Sequence, residues 1–173
     1  MIDRRSARAA LQMALTDAIA SDYRDALRIH HYVDALPGWA PTPGYCHDQV
    51  DRWLQSHPDD TPVRGWITDV CFDCSVRFAA HSLVRTPAGE LLDVTYAALD
   101  YQQYFIEHPA AAGEFFALVR GEPPLPLIIV PRPSRQELNP WLVPLPRNRR
   151  PGRHPATSMP WCLRSRCVRA TSR

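Results

Sequence analysis

The 173-residue sequence contains no lysine; all 20 basic side chains are arginine. The codon bias of a GC-rich genome gives this composition, and an arginine-presenting surface is the functional alternative. A large excess of either charge is also missing. Twenty arginines against 18 acidic residues leave a formal net charge of +2. Such a balance builds no basic field, so nucleic acid is not expected as a partner. No uninterrupted run of about 18 apolar residues exists, so no membrane span is expected. Arg8, Gln12 and Asp17 break the apolar content of the first residues, which argues against a secretory leader; a cytoplasmic location is the expectation. Cysteine comes in an odd number, five. With no leader to imply an oxidising compartment, a disulfide framework is not expected, and at least one cysteine must be a free thiol.

Apolar residues make up 45% and charged residues 22%, an ordinary balance for a globular chain. Proline, with 18 residues, crowds between positions 122 and 160. Each proline removes a backbone donor and fixes φ, which excludes long helices and central strands there. We therefore expect one domain over residues 1–135 and a poorly ordered Pro/Arg-rich tail over 136–173. The arginine run at 147–153 reads as a solvated part of that tail.

Apolar residues recur at the helical period over 6–31, which predicts an amphipathic helix. Residues 36–44 are rich in Pro and Gly and must form a loop. Cys46, Val50, Trp53 and Leu54 then share one face of a second helix, which Pro58 stops by His57. Strands are expected over 63–72, 75–86 and 91–96, the last two joined as a hairpin through Pro87-Ala88-Gly89. Residues 101–108 and 113–120 read as helical, and 127–130 as a short edge strand. The expected class is α+β, with N-terminal helices packed on a small antiparallel sheet.

Cys46 opens the second helix. A helix start presents unpaired N–H groups and partial positive charge, which stabilise a thiolate and can receive an oxyanion. His81 lies on the face of its strand shared with Ala79 and Leu83. Aspartate is depleted in strands, so Asp93 needs a reason. If Thr86 pairs with Glu90 across the hairpin, Leu83 faces Asp93 and His81 faces Thr95. His81 and Asp93 are then diagonal neighbours on one face, and a slip of one residue would separate them. Cys46 as nucleophile, His81 as base and Asp93 as its orienter are the candidates, the last pair depending on that register; a small buried cysteine and a satisfied, half-exposed histidine are the competing expectations. Gln49, Trp66 and Thr95 are the candidate substrate contacts; for Gln49 an exposed helix position, and for Trp66 a place in the core, are the competing expectations.

The runs Gly44-Tyr45-Cys46-His47-Asp48-Gln49-Val50, Gly65-Trp66-Ile67, Ala80-His81-Ser82-Leu83-Val84 and Gly89-Glu90-Leu91-Leu92-Asp93-Val94-Thr95 resemble a group of uncharacterised bacterial proteins. These in turn resemble the compact NlpC-type and transglutaminase-like branch of the papain-like superfamily. The resemblance covers residues 40–100. It implies a papain-like fold, a Cys46–His81–Asp93 triad, no cofactor, and an amide substrate that is a peptide, a protein or a small molecule. Tyr96 stands where those proteins tend to carry proline.

Cys71-Phe72-Asp73-Cys74 is a C-x-x-C, half of a zinc site, to which Cys162, Cys167, His47 or His81 could add ligands. A turn carrying two thiols is the competing expectation, and no metal site is assigned. The function expected is thiol-dependent acyl transfer on an amide bond, as in a peptidase, amidase, deamidase or transglutaminase. The alternative is a non-catalytic binding module, or a zinc-stabilised interaction module, on the same fold. The sequence gives no indication of oligomeric state.

Overall fold

The computed structural model describes residues 3–42 and 45–133; the expected tail and residues 43 and 44 of the loop before Cys46 lie outside them. The architecture is mixed α+β. In chain order it runs α1 (Arg4–Ala20), β1 (His31–Tyr32), a 3₁₀ turn, α2 (Cys46–Ser56), β2 (Thr61–Cys71), β3 (Ser75–Arg85), β4 (Leu91–Asp93), β5 (Phe105–Glu107), a second 3₁₀ turn, α3 (Phe115–Val119) and β6 (Leu127–Pro131). Among the described residues no helix is long and apolar enough to cross a membrane.

The sheet is mixed rather than antiparallel throughout. Its order is β1-β4-β3-β2-β5, with β6 also paired to β3. The exception to antiparallel pairing is β1, which runs parallel to β4 through His31–Leu92 and Tyr32–Asp93. The hairpin register expected from the Pro87-Ala88-Gly89 turn is present: Val84 faces Leu92, Arg85 faces Leu91, and Thr86 N–H donates to Glu90 O.

Helix α1 starts on an Asp3 cap, whose carboxylate accepts from the Arg5 and Ser6 amides. It is shorter than its apolar period suggests. Asp22 and Tyr23 take φ of 53° and 58°. Tyr23 stacks on Tyr104, and Leu27 N–H donates to Phe105 O. These contacts draw the chain off the helix axis toward β5. Leu11, Leu15, Trp66, Phe78 and Phe115 form the core beneath α1 and α3. Val50 and Trp53 of α2 pack on Val84, Leu92 and Val94. Across the sheet, Val63, Ile67, Leu83, Leu91 and Phe105 form a third cluster.

The expected helix over 101–108 is instead the region of strand β5, which pairs with Gly65–Ile67 of β2. The reason is Gly65. A β-carbon there would lie 2.6 Å from Phe105 Cζ and closer still to the Ile106 carbonyl oxygen. The bare backbone admits the Phe105 ring, so β5 closes the sheet edge. Gly65→Ala is expected to destabilise the protein by about 1–3 kcal/mol, read as a lower urea midpoint at unchanged slope; an unchanged midpoint would sink this explanation of β5.

Candidate active site

Strand β3 has two partners on one edge. Strand β6 covers Ser75–Ala79, and β4 covers Val84 and Arg85. Between these ladders, beyond the Ala80 N–H bond to Pro126 O, residues 81–83 have no strand partner on that edge among the described residues. The start of α2 stands at this opening. Cys46 Sγ lies 4.0 Å from the Ala80 carbonyl oxygen, and Cys46 is 8% exposed. The N-cap residue, Tyr45, makes no side-chain capping bond. Among the described residues no side-chain oxygen caps the N–H groups of the first turn, which carry the positive end of the helix dipole.

His81 and Asp93 meet as the register requires. His81 Nε2 lies 2.8 Å from Asp93 Oδ2, and both residues are buried. The other carboxylate oxygen, Oδ1, accepts from the Thr95 and Tyr96 amides at 2.9 and 3.0 Å. The carboxylate is thus fixed from both ends. With Nε2–H committed to Asp93, Nδ1 is the ring nitrogen left for the thiol, and Cys46 and His81 shift each other's titration. Tyr96 stacks on the imidazole at 5.1 Å and Phe105 meets it edge-on at 6.4 Å.

These contacts shift both groups. Burial alone would raise the Cys46 thiol. Hydrogen bonds from His47 and His81 and the positive charge of the imidazoles outweigh it, lowering the thiol from 9.0 to about 6. Burial alone would lower His81; its bonds to Asp93 and Cys46, with their negative charge, raise it from 6.5 to about 9. Between about pH 6 and 9 the pair is therefore thiolate and imidazolium. Burial, followed by the charges of Cys46 and Asp93, pushes the Tyr96 phenol up.

A stability consequence follows. Between pH 6.5 and 9.0 the unfolded pair holds one proton, on sulfur, and the folded pair also holds one, on nitrogen. Equal proton counts give no slope of stability with pH in that window. Cys46→Ala breaks this balance. His81, still raised by Asp93, then gives stability that is full below pH 6.5 and lost as pH rises through its folded value. The stability of wild type minus that of Cys46→Ala, from urea unfolding, is expected to climb from pH 6.5 to 9. A flat difference would mean that Asp93 does not raise His81.

The remaining site residues have other surroundings. Trp66 is wholly buried in the core, and its indole donates to His108 Nδ1 at 3.1 Å. It has no face left for a substrate, so the substrate-contact expectation is corrected to a core role. Gln49 is buried rather than on an open helix face, and its Oε1 has no hydrogen-bond partner among the described residues. Thr95 is also buried with an unpartnered Oγ1, and its backbone amide holds Asp93. The C-x-x-C lies at the turn between β2 and β3, as the competing expectation had it. Cys74 is disulfide-bonded rather than a thiol, and Cys71 is exposed. Among the described residues no group of three or more His, Cys, Asp or Glu is placed to hold a metal ion.

One site residue escaped the sequence reading as a partner of the thiol. His47 Nδ1 lies 3.7 Å from Cys46 Sγ and 2.6 Å from Ser82 Oγ. Residues adjacent on a helix ordinarily point apart. The available signal was the Cys-His pair at a helix start, where the first turn can fold a side chain back. Comparison with protein-family models, curated proteins and solved structures finds no match to this chain.

Proposed function

We propose that this protein is a thiol-dependent acyl-transfer enzyme acting on an amide bond, with Cys46 as nucleophile, His81 as acid and base, and Asp93 as its orienter. The observation that supports this best is the His81–Asp93 bond at 2.8 Å beside a thiol lowered to about 6. A carboxylate that holds Nε2–H leaves Nδ1 toward sulfur, the arrangement a thiol–imidazole pair needs. A nucleophile at a helix start, with base and orienter on adjacent strands, is also the papain-like layout.

In the reaction, the Cys46 thiolate attacks the carbonyl carbon. A C–S bond forms, and the carbonyl electron pair moves to oxygen, which the first N–H groups of α2 receive. His81 gives its proton to the leaving nitrogen, and the C–N bond breaks. The neutral imidazole then takes a proton from water or an acceptor amine, whose attack on the thioester breaks the C–S bond and restores the thiolate. Peptidases, amidases, deamidases and transglutaminases share these steps. The substrate is a peptide, a protein or a small amide.

Burial of the thiol favours a second reading, a non-catalytic binding module, since Cys46 is 8% and His81 1% exposed. p-Nitrophenyl acetate separates the two. The enzyme reading expects one equivalent of p-nitrophenol in a burst, an acetyl group on the Cys46 peptide, and slower deacetylation in His81→Ala. If Cys46 stays unacetylated while Cys71 reacts, the binding-module reading replaces it.

A further inference from the structure

His81 and Ser82 are consecutive in β3, so their side chains leave on opposite faces of the sheet. Ser82 shares its face with its β2 partner Arg64, whose Nη1 donates to Ser82 Oγ at 2.7 Å. The sulfur of Cys46, standing at the open edge between β4 and β6, is therefore approached from both faces. His81 comes from one, and His47, held by Ser82, comes from the other.

The second approach is built as firmly as the first. Arg64 is itself fixed by Asp51 Oδ1 at 2.6 Å and lies over the Phe116 ring at 5.0 Å. Phe115 and Phe116 present their rings edge-on to His47 at 5.5 and 5.4 Å. The imidazole cannot turn away without breaking these contacts, so Nδ1 stays at Ser82 Oγ and beside the sulfur.

We propose that His47 is a second imidazole partner of the reactive sulfur, positioned by Ser82 and Arg64, and that it stabilises the thiolate independently of His81 and Asp93. This rests on Cys46 being the nucleophile. A hydroxyl both donates and accepts, so Ser82 suits both states of the thiol. With sulfur protonated, Ser82 O–H donates to Nδ1. With sulfur ionised, Nδ1 bears the proton and donates to it, and Ser82 accepts. The change moves one proton from Nε2 to Nδ1 through solvent. The charged groups facing this cluster are Asp48 and Asp51 from α2, Arg64 from β2, His81 from β3 and Arg120 at the end of α3. Arg64 pairs with Asp51 and Arg120 with Asp48.

The test is the apparent pKa of Cys46 from pH-dependent iodoacetamide labelling of the intact chain, with the labelled peptide identified by mass spectrometry. His47→Ala is expected to raise it by about one pH unit. His47→Asn keeps an N–H donor at the same place and a similar volume, and should recover at least half of that rise; it also serves if the alanine variant does not fold. Ser82→Ala should raise the value less than His47→Ala does. The double variant His47→Ala/His81→Ala should titrate higher than either single one, at or above the 9.0 of an unperturbed thiol, because only burial remains. The proposal is overturned if His47→Ala and His47→Asn both titrate like wild type, or if the double variant matches His81→Ala alone. A wild-type value near 9.0 would instead remove the nucleophile itself, an outcome distinct from a low wild-type value that His47 does not move.

Discussion

Asp93→Asn is expected to lower the rate of Cys46 acetylation by p-nitrophenyl acetate at pH 7 on the order of 10³–10⁴-fold while the protein stays folded. The position of one proton decides this outcome. Asp93 Oδ1 accepts from two backbone amides, Thr95 and Tyr96, so an asparagine must keep its oxygen there. Its –NH₂ then faces His81 Nε2, where the carboxylate Oδ2 stood at 2.8 Å. Two donors cannot face each other, so Nε2 gives up its hydrogen and the neutral ring carries it on Nδ1, toward the thiol. The base lone pair now points the wrong way. Because the two backbone bonds survive, circular dichroism and the urea midpoint should change far less than the rate. A rate within tenfold of wild type would mean that Asp93 holds the strand end and does not orient a base.

Phe105→Ala is expected to cost about 3–5 kcal/mol of stability, measured by urea unfolding. The ring is wholly buried, fills the space above Gly65, and meets His81 edge-on. Its loss opens a cavity between β5 and the imidazole, so Cys46 labelling should also become less selective. A cost under 1 kcal/mol would show that the two strands can close without the ring.

That strand marks the limit of what could be read from the sequence. Tyr101 to His108 shows no period-2 pattern strong enough to call a strand, because β5 is three residues long and held by one glycine opposite it. The early end of α1 was hidden for a similar reason: the contacts that end it, at Tyr104 and Phe105, lie about 80 residues away. Local signals fared better. The start of α2 at Cys46 and its stop at Ser56 follow from the apolar period and Pro58. The His81–Asp93 contact followed from counting back from the turn at Pro87-Ala88-Gly89, since strand register transmits position rigidly. The exposed position expected for Gln49 failed because a residue type does not say which side of a helix is covered, whereas the core place weighed for Trp66 is the one it takes. His47 was passed over because its tie to Ser82 crosses from helix to sheet, a distance that sequence spacing does not encode.

The central claim is that Cys46 is a thiolate paired with His81 near neutral pH. The most direct measurement is the rate of iodoacetamide labelling at Cys46 from pH 5 to 10, in wild type and in His81→Ala. The expected wild-type profile rises through an apparent pKa of about 6, and His81→Ala moves that rise upward by more than one pH unit. A wild-type rise near 9.0, unchanged by His81→Ala, would contradict the claim and leave Cys46 as an ordinary buried thiol.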